Sequence, residues 1–99
     1  MEIKKTQRGF DIVEFNDEYG ESCTLQKSSL ADKDCIWLGI YNPKAKILAS
    51  KIIKNGTGWA DYPLPDDVEI HSRMHLNREQ VQSLLPFLQK FVMTGDIGE

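Results

Sequence analysis

Hydrophobic and polar residues alternate with a period of two through much of the chain and switch to a helical period near its end. Residues 9–15 carry β-branched and aromatic side chains in alternation and predict a first strand. The segment Asn16-Asp17-Glu18-Tyr19-Gly20 is turn chemistry, with Gly20 free to adopt positive φ. Residues 21–27 alternate again, Cys23 and Leu25 on one face and Ser22, Thr24 and Gln26 on the other. They predict a second strand, hairpinned to the first. A polar connection over 28–34 leads to a continuous apolar run over 35–40, the pattern of a central strand buried on both faces. Tyr41-Asn42-Pro43 ends that run, residues 47–49 predict a further strand, and 51–54 extend or follow it. Asn55-Gly56 predicts a type I′ hairpin turn, which needs positive φ at both central residues. Residues 59–67, with Trp59, Tyr62, Pro63 and Pro65, predict a stiff irregular loop.

From Val68 to Leu76 the alternation is clean. Val68, Ile70, Met74 and Leu76 share one face, with Ser72 between them; Glu69, His71, Arg73 and His75 share the other. The pattern is that of a half-buried strand with one wet face. Asn77 then stands as a helix N-cap with Gln80 at the third helical position, completing a capping box. Val81, Leu84, Leu85, Leu88, Phe91 and Val92 recur at helical spacing and form one apolar stripe. Pro86 interrupts this helix at a cost of about 3 kcal/mol or more. The stripe keeps its phase across it, so a single kinked helix is expected, ended by Gly95.

These elements predict one α+β domain over residues 1–99. It is an antiparallel sheet of four to five strands with one C-terminal, Pro-kinked amphipathic helix packed on one face. Residues 1–8 are expected to be frayed or to form a short edge strand. A chain of 99 residues buries only about 60–65% of its unfolded surface, which leaves a thin core and little room for an enclosed active site.

Composition adds limits. The apolar fraction of 40% and the charged fraction of 27% are those of a globular chain. The net charge of −3 argues against non-specific binding to nucleic acid or anionic membrane as the main activity. The start of the chain has no apolar run of the signal-peptide kind, and no segment approaches the roughly 20 apolar residues of a membrane span. A protein of a reducing cytosol is expected, with Cys23 and Cys35 as free thiols.

Several groups of residues carry candidate chemistry. His71, Arg73 and His75 at alternate strand positions would point one way and form an anion-recognising surface. The plainer reading is a solvated strand face. Trp59 and Tyr62 are aromatic anchors of the kind that bind partners from ordered loops. The segment 44–54 holds Lys44, Lys46, Lys51 and Lys54 without an acidic residue and runs into Asn55-Gly56-Thr57-Gly58 and Trp59. Lysines beside exposed amides hold phosphate and an aromatic stacks a base, so this segment is a candidate for nucleotide or nucleic-acid contact. No phosphate-loop motif accompanies it, and lysine also serves to protect an edge hairpin. Cys23, Cys35, His71 and His75 are zinc-ligand types without zinc-ligand spacing, and no metal or cofactor is expected. Nucleophilic catalysis would need Cys23 or Ser28 held against a histidine and an orienting carboxylate, and no nucleophile motif is present. Trp37 and the helix stripe through Phe91 read as core.

Three stretches carry a family resemblance: residues 19–31 (YGESCTLQKSSLA), 36–39 (IWLG), and 73–81 (RMHLNREQV) with Leu84-Leu85-Pro86. Together they resemble a family of small uncharacterised proteins encoded by phages and prophages. The resemblance implies a protein of the bacterial host cytoplasm and carries over no functional residue. It points to action by binding, such as blocking a host enzyme, sequestering a defence signal or accompanying replication.

The leading expectation is therefore a non-enzymatic binding protein that acts as an inhibitor of a host or defence system. Its contact surface would join Trp59 and Tyr62 to His71, Arg73 and His75. A nucleotide or nucleic-acid binder using the lysines of 44–54 is the first alternative, and a small Cys/His enzyme the second. The expected partner is a host or phage protein and not a membrane. A free sheet edge leaves homodimerisation open.

Overall fold

The structure is a computed structural model that describes residues 1–98. It is α+β: a five-stranded antiparallel sheet with one C-terminal helix packed against it. The sheet comprises β1 (Ile3–Lys5), β2 (Asp11–Asn16), β3 (Ser22–Lys27), β4 (Cys35–Ile40) and β7 (Arg73–Asn77), in that spatial order. Between β4 and β7 the chain makes an excursion containing a separate hairpin, β5 (Lys46–Leu48) and β6 (Trp59–Asp61). Helix α1 is Arg78–Thr94.

The first hairpins form where turn chemistry predicts them. Asp17 Oδ1 accepts from the backbone N–H groups of Tyr19 and Glu21, each at 2.9 Å, and Gly20 takes φ +85°. That turn sets the register Val13↔Leu25 and Phe15↔Cys23. Residues 1–8 are not frayed, because Ile3 to Lys5 pair with Asp11 to Val13 as the edge strand.

Register sorts the side chains into two faces. Val13, Leu25, Leu38 and Met74 lie opposite one another across four strands, flanked by Phe15, Cys23, Ile36, Ile40 and Leu76. This is the apolar face. Ile12, Gln26, Trp37 and His75 form the matching row of the other face, with Glu14, Thr24 and Arg73 beside them.

Five expectations are corrected. The apolar run 35–40 is not a central strand buried on both sides: β3 is central, and β4 is half-buried beyond Cys35. Strand β7 begins only at Arg73, so Val68 to Ser72 lie outside the sheet. Gly39 explains the boundary: a Cβ there would stand 2.2 Å from the Ser72 carbonyl oxygen, so only glycine lets the backbone cross at that point. Ser72 Oγ fastens the crossing by donating to the Ile40 carbonyl at 2.8 Å. Asn55-Gly56 does not form a type I′ turn. Asn55 takes φ +63°, whereas Gly56 is not in the positive-φ region and instead packs against Ala49, which opens a short 3-10 turn (Ala49–Lys51). Within the expected loop 59–67, the first three residues pair as β6.

The fifth correction concerns the helix. The capping box forms as the sequence requires: Asn77 Oδ1 accepts from Gln80 N–H at 2.8 Å, and Gln80 Oε1 accepts from Asn77 N–H at 2.9 Å. Gly95 closes the helix in the left-handed conformation, and Pro86 lies inside one continuous helix. Val81 and Leu85 rest beside Ile36 and Leu76 at the sheet's end. No helix residue is buried, however, and the stripe expected in the core is exposed from Leu84 onward.

Candidate functional site

The polar face of the sheet gathers the most specific side-chain arrangement. Trp37 and His75 are directly paired across β4 and β7, and their rings stack with centroids 4.0 Å apart and planes 14° from parallel. Arg73, two residues before His75 and hence on the same face, is paired with Gly39. Its guanidinium lies 5.2 Å from the Trp37 ring centroid, a cation–π distance. Arg73 Nη1 also donates to Gln26 Oε1 at 3.4 Å. His75 Nε2 lies 2.9 Å from Ser28 Oγ. Three neighbouring strands thus supply Gln26, Trp37, Arg73 and His75, with Ser28 at the end of the row.

Beside this cluster the same face opens into a groove of about 940 Å³. Thr24, Gln26 and Trp37 form part of its floor, and Arg8, Phe10 and Tyr41 contribute walls. Arg8 lies over Phe10, 5.5 Å from its ring centroid. Thr24 is 3% exposed, and its hydroxyl has no hydrogen-bond partner among the described residues.

The expected contact residues divide among these elements. Arg73 and His75 come together as predicted, whereas His71 precedes β7 and stands exposed outside the cluster. Trp59 and Tyr62 belong to the β5–β6 hairpin and are exposed, Trp59 by 68%. Trp37, expected in the core, is instead half-buried at the centre of the polar-face cluster. Gln26 was also missed, and Ser28, weighed only as a nucleophile, does meet a histidine. The alternation of residues 22–26 marks a polar face and so carries the signal for Gln26, but the cross-strand register that brings Trp37 onto that face is not written in either strand alone.

The basic segment is less cationic than its sequence reads. Strand pairing sets Lys46 opposite Asp61, just past the acid-free stretch, and the two form an ion pair. The hydrogen bond from Lys46, then its charge, and more weakly the charge of Lys44 hold the Asp61 carboxyl below its ordinary value. Lys44, Lys51 and Lys54 are exposed along the same excursion, Lys51 in the 3-10 turn and Lys54 in the turn that follows. Nothing in this arrangement focuses four cations on one point.

Catalysis finds little support in the geometry. Ser28 does meet a histidine, but Ser28 is 3% exposed and its Oγ also accepts from Leu30 N–H at 3.3 Å. Among the described residues no carboxylate hydrogen-bonds His75, whose ring is held by Trp37 instead. The contact fixes the imidazole and presents no accessible nucleophile. Cys23 and Cys35 are both buried free thiols on opposite faces, near opposite ends of the β3–β4 ladder, so they cannot share a metal or a disulfide. No helix of the described residues is long and apolar enough to cross a membrane.

Comparison with known proteins gives no matching family model, no matching curated protein and no matching solved structure. Fold and site therefore define an α+β domain with a pre-arranged cationic and aromatic face.

Proposed function

We propose that the chain is a small non-enzymatic binding protein of a phage or prophage, acting in the bacterial cytoplasm by contact with a host or phage protein, as an inhibitor of a host or defence system. The single observation that carries the binding part is the Trp37–Arg73–His75 cluster. Arginine and aromatic residues dominate binding energy at protein interfaces. Here the arginine is already held over a ring and the histidine already stacked, so less side-chain freedom is lost on association. The guanidinium suits a carboxylate on the partner. Trp59 and Tyr62 supply exposed aromatic area on the β5–β6 excursion. The phage setting is supported by the sequence resemblance alone.

The test is capture of proteins from a bacterial host lysate on the immobilised chain, with Arg73→Ala and Trp59→Ala compared with the parent. Loss of a specific captured protein with Arg73→Ala, the fold being intact by circular dichroism, is the expected result. If every captured protein is retained by both variants, the polar face is not the contact surface.

A further inference from the structure

A folded monomer of 11.3 kDa exposes about 5,700 Å² of accessible surface. This chain exposes 8708 Å², an excess of about 3,000 Å² over that expectation. Its radius of gyration is 17.5 Å, where a compact chain of this length has about 13 Å. Part of the excess lies on the β5–β6 excursion, at Ile52, Ile53 and Trp59, and much of the rest lies on two elements. On α1, Leu84, Leu88, Phe91 and Val92 are exposed, Val92 by 84%. On the sheet, the apolar face is closed at Cys23 but open elsewhere: Val13, Phe15, Leu25 and Leu38 are half-buried, and Met74 is 53% exposed. A helix seated only at its first turns and a sheet face only partly covered occur in one molecule.

The chain cannot join the two by itself. Asn77 is at once the last residue of β7 and the N-cap of α1, so no loop residue intervenes. Reversing a helix onto the sheet it has just left takes a connection of about two to six residues. The reciprocal capping box fixes the junction further. The first turns reach Ile36 and Leu76 at the sheet's end, and the apolar residues of the remainder stay exposed.

We infer that the occupant of both surfaces is a second copy of this chain, the two exchanging C-terminal helices about a two-fold axis so that each helix lies across the apolar face of the other's sheet. A second copy brings both a helix and a face, so one isologous contact covers all four surfaces. The dimensions agree: a helix of 17 residues is about 25 Å long, and a sheet of five strands is about 19 Å wide. The surplus of about 3,000 Å² per chain is about 6,000 Å² for a pair, so covering half of it would already match the roughly 2,000–5,000 Å² in total that obligate dimers bury. The polar face remains outside this contact, so the exchange stands independently of the proposed function.

The test is sedimentation equilibrium of the full chain, joined with isotope-filtered NMR on a mixture of labelled and unlabelled chains. The expected mass is twice 11.3 kDa, with intermolecular cross-peaks from Leu88 and Phe91 to Val13, Leu38 or Met74. Phe91→Glu should raise the dimer dissociation constant by about 100-fold or more, while Phe91→Leu keeps the dimer. A folded monomer at all concentrations, an assembly without two-fold symmetry, or a dimer lacking helix-to-sheet cross-peaks would overturn the inference. The mass and the cross-peaks are read on the parent chain, so they decide between exchange and its absence even where Phe91→Glu fails to fold.

Discussion

Gly39→Ala should be among the most damaging single-methyl changes in this protein. The added Cβ would lie 2.2 Å from the Ser72 carbonyl oxygen and 2.7 Å from the Arg73 Cα. Both are backbone atoms, so no rotamer change relieves the contact. The chain entering β7 has to retreat by on the order of 1 Å to reach ordinary separation. Two interactions anchored at this crossing weaken with it. One is the Ser72 Oγ bond to the Ile40 carbonyl, of a kind worth about 1 kcal/mol. The other is the Arg73–Trp37 cation–π contact, worth about 0.5–1 kcal/mol. Gly39 also has φ +155°, where a side chain is disfavoured by about 1–3 kcal/mol. The expected loss is about 3–4 kcal/mol, a large part of the roughly 5–15 kcal/mol that holds a domain together.

Gly20→Ala is the matched control. Gly20 has φ +85° with nothing within 4 Å of the new methyl, so it reports backbone strain alone, about 1–2 kcal/mol. Urea denaturation followed by tryptophan fluorescence, at one fixed chain concentration, gives both values. Equal destabilisation of the two variants would refute this account, because the close approach of Ser72 to Gly39 would then contribute nothing.

Thr24→Val replaces a buried hydroxyl that has no partner among the described residues by a methyl of similar shape, so it should stabilise the sheet by about 1 kcal/mol, read as a rise in Tm; a fall would mean that the hydroxyl is satisfied after all. Asn77→Ala removes the acceptor of the capping box and should cost about 1 kcal/mol, measured by urea denaturation, with unchanged stability refuting the cap's role. Asp61 is held below its ordinary value of 3.8 chiefly by the hydrogen bond from Lys46, so its folded pKa lies under its unfolded one. Its stabilisation of the hairpin is present above 3.8 and is lost as pH falls past that value toward the lower folded pKa. NMR titration of the Trp59 and Ala60 amides should show this acid step, and Asp61→Asn should abolish it; an Asp61 carboxyl titrating at or above 3.8 would contradict the pairing.

Local chemistry made several elements legible in advance. Gly20, the Asn77–Gln80 box and Gly95 act through neighbours a few residues away, and each does in the fold what its type and spacing predict. The faces of β3 were legible for the same reason, since alternation is a local property. What was hidden depends on distant residues. The apolar run 35–40 suggested two buried faces, yet only register shows that Trp37 meets Gln26 and His75 on a polar one. The alternation from Val68 continued past the true strand start because nothing in residues 68–72 announces that the backbone must cross Gly39. Lys46 read as an unopposed cation until pairing set Asp61 against it.

The helix shows the deeper limit of pattern reading. A stripe such as Leu84, Leu88, Phe91 states that one face leaves water, and it says nothing about which molecule provides the shelter. The junction at Asn77 decides that question more strongly than the stripe does. Had a few loop residues stood between Leu76 and the cap, the helix could have folded back and closed a monomeric core. With none, only its first turns meet the sheet that precedes it, and the stripe from Leu84 onward stays exposed. Inserting a flexible Gly-Ser-Gly-Ser connection between Asn77 and Arg78, with a new cap residue ahead of the helix, therefore has a definite consequence under helix exchange: the dimer should give way to a compact monomer with a radius of gyration near 13 Å by small-angle scattering. A dimer that survives this insertion at low concentration would show that the absent loop is not what drives association.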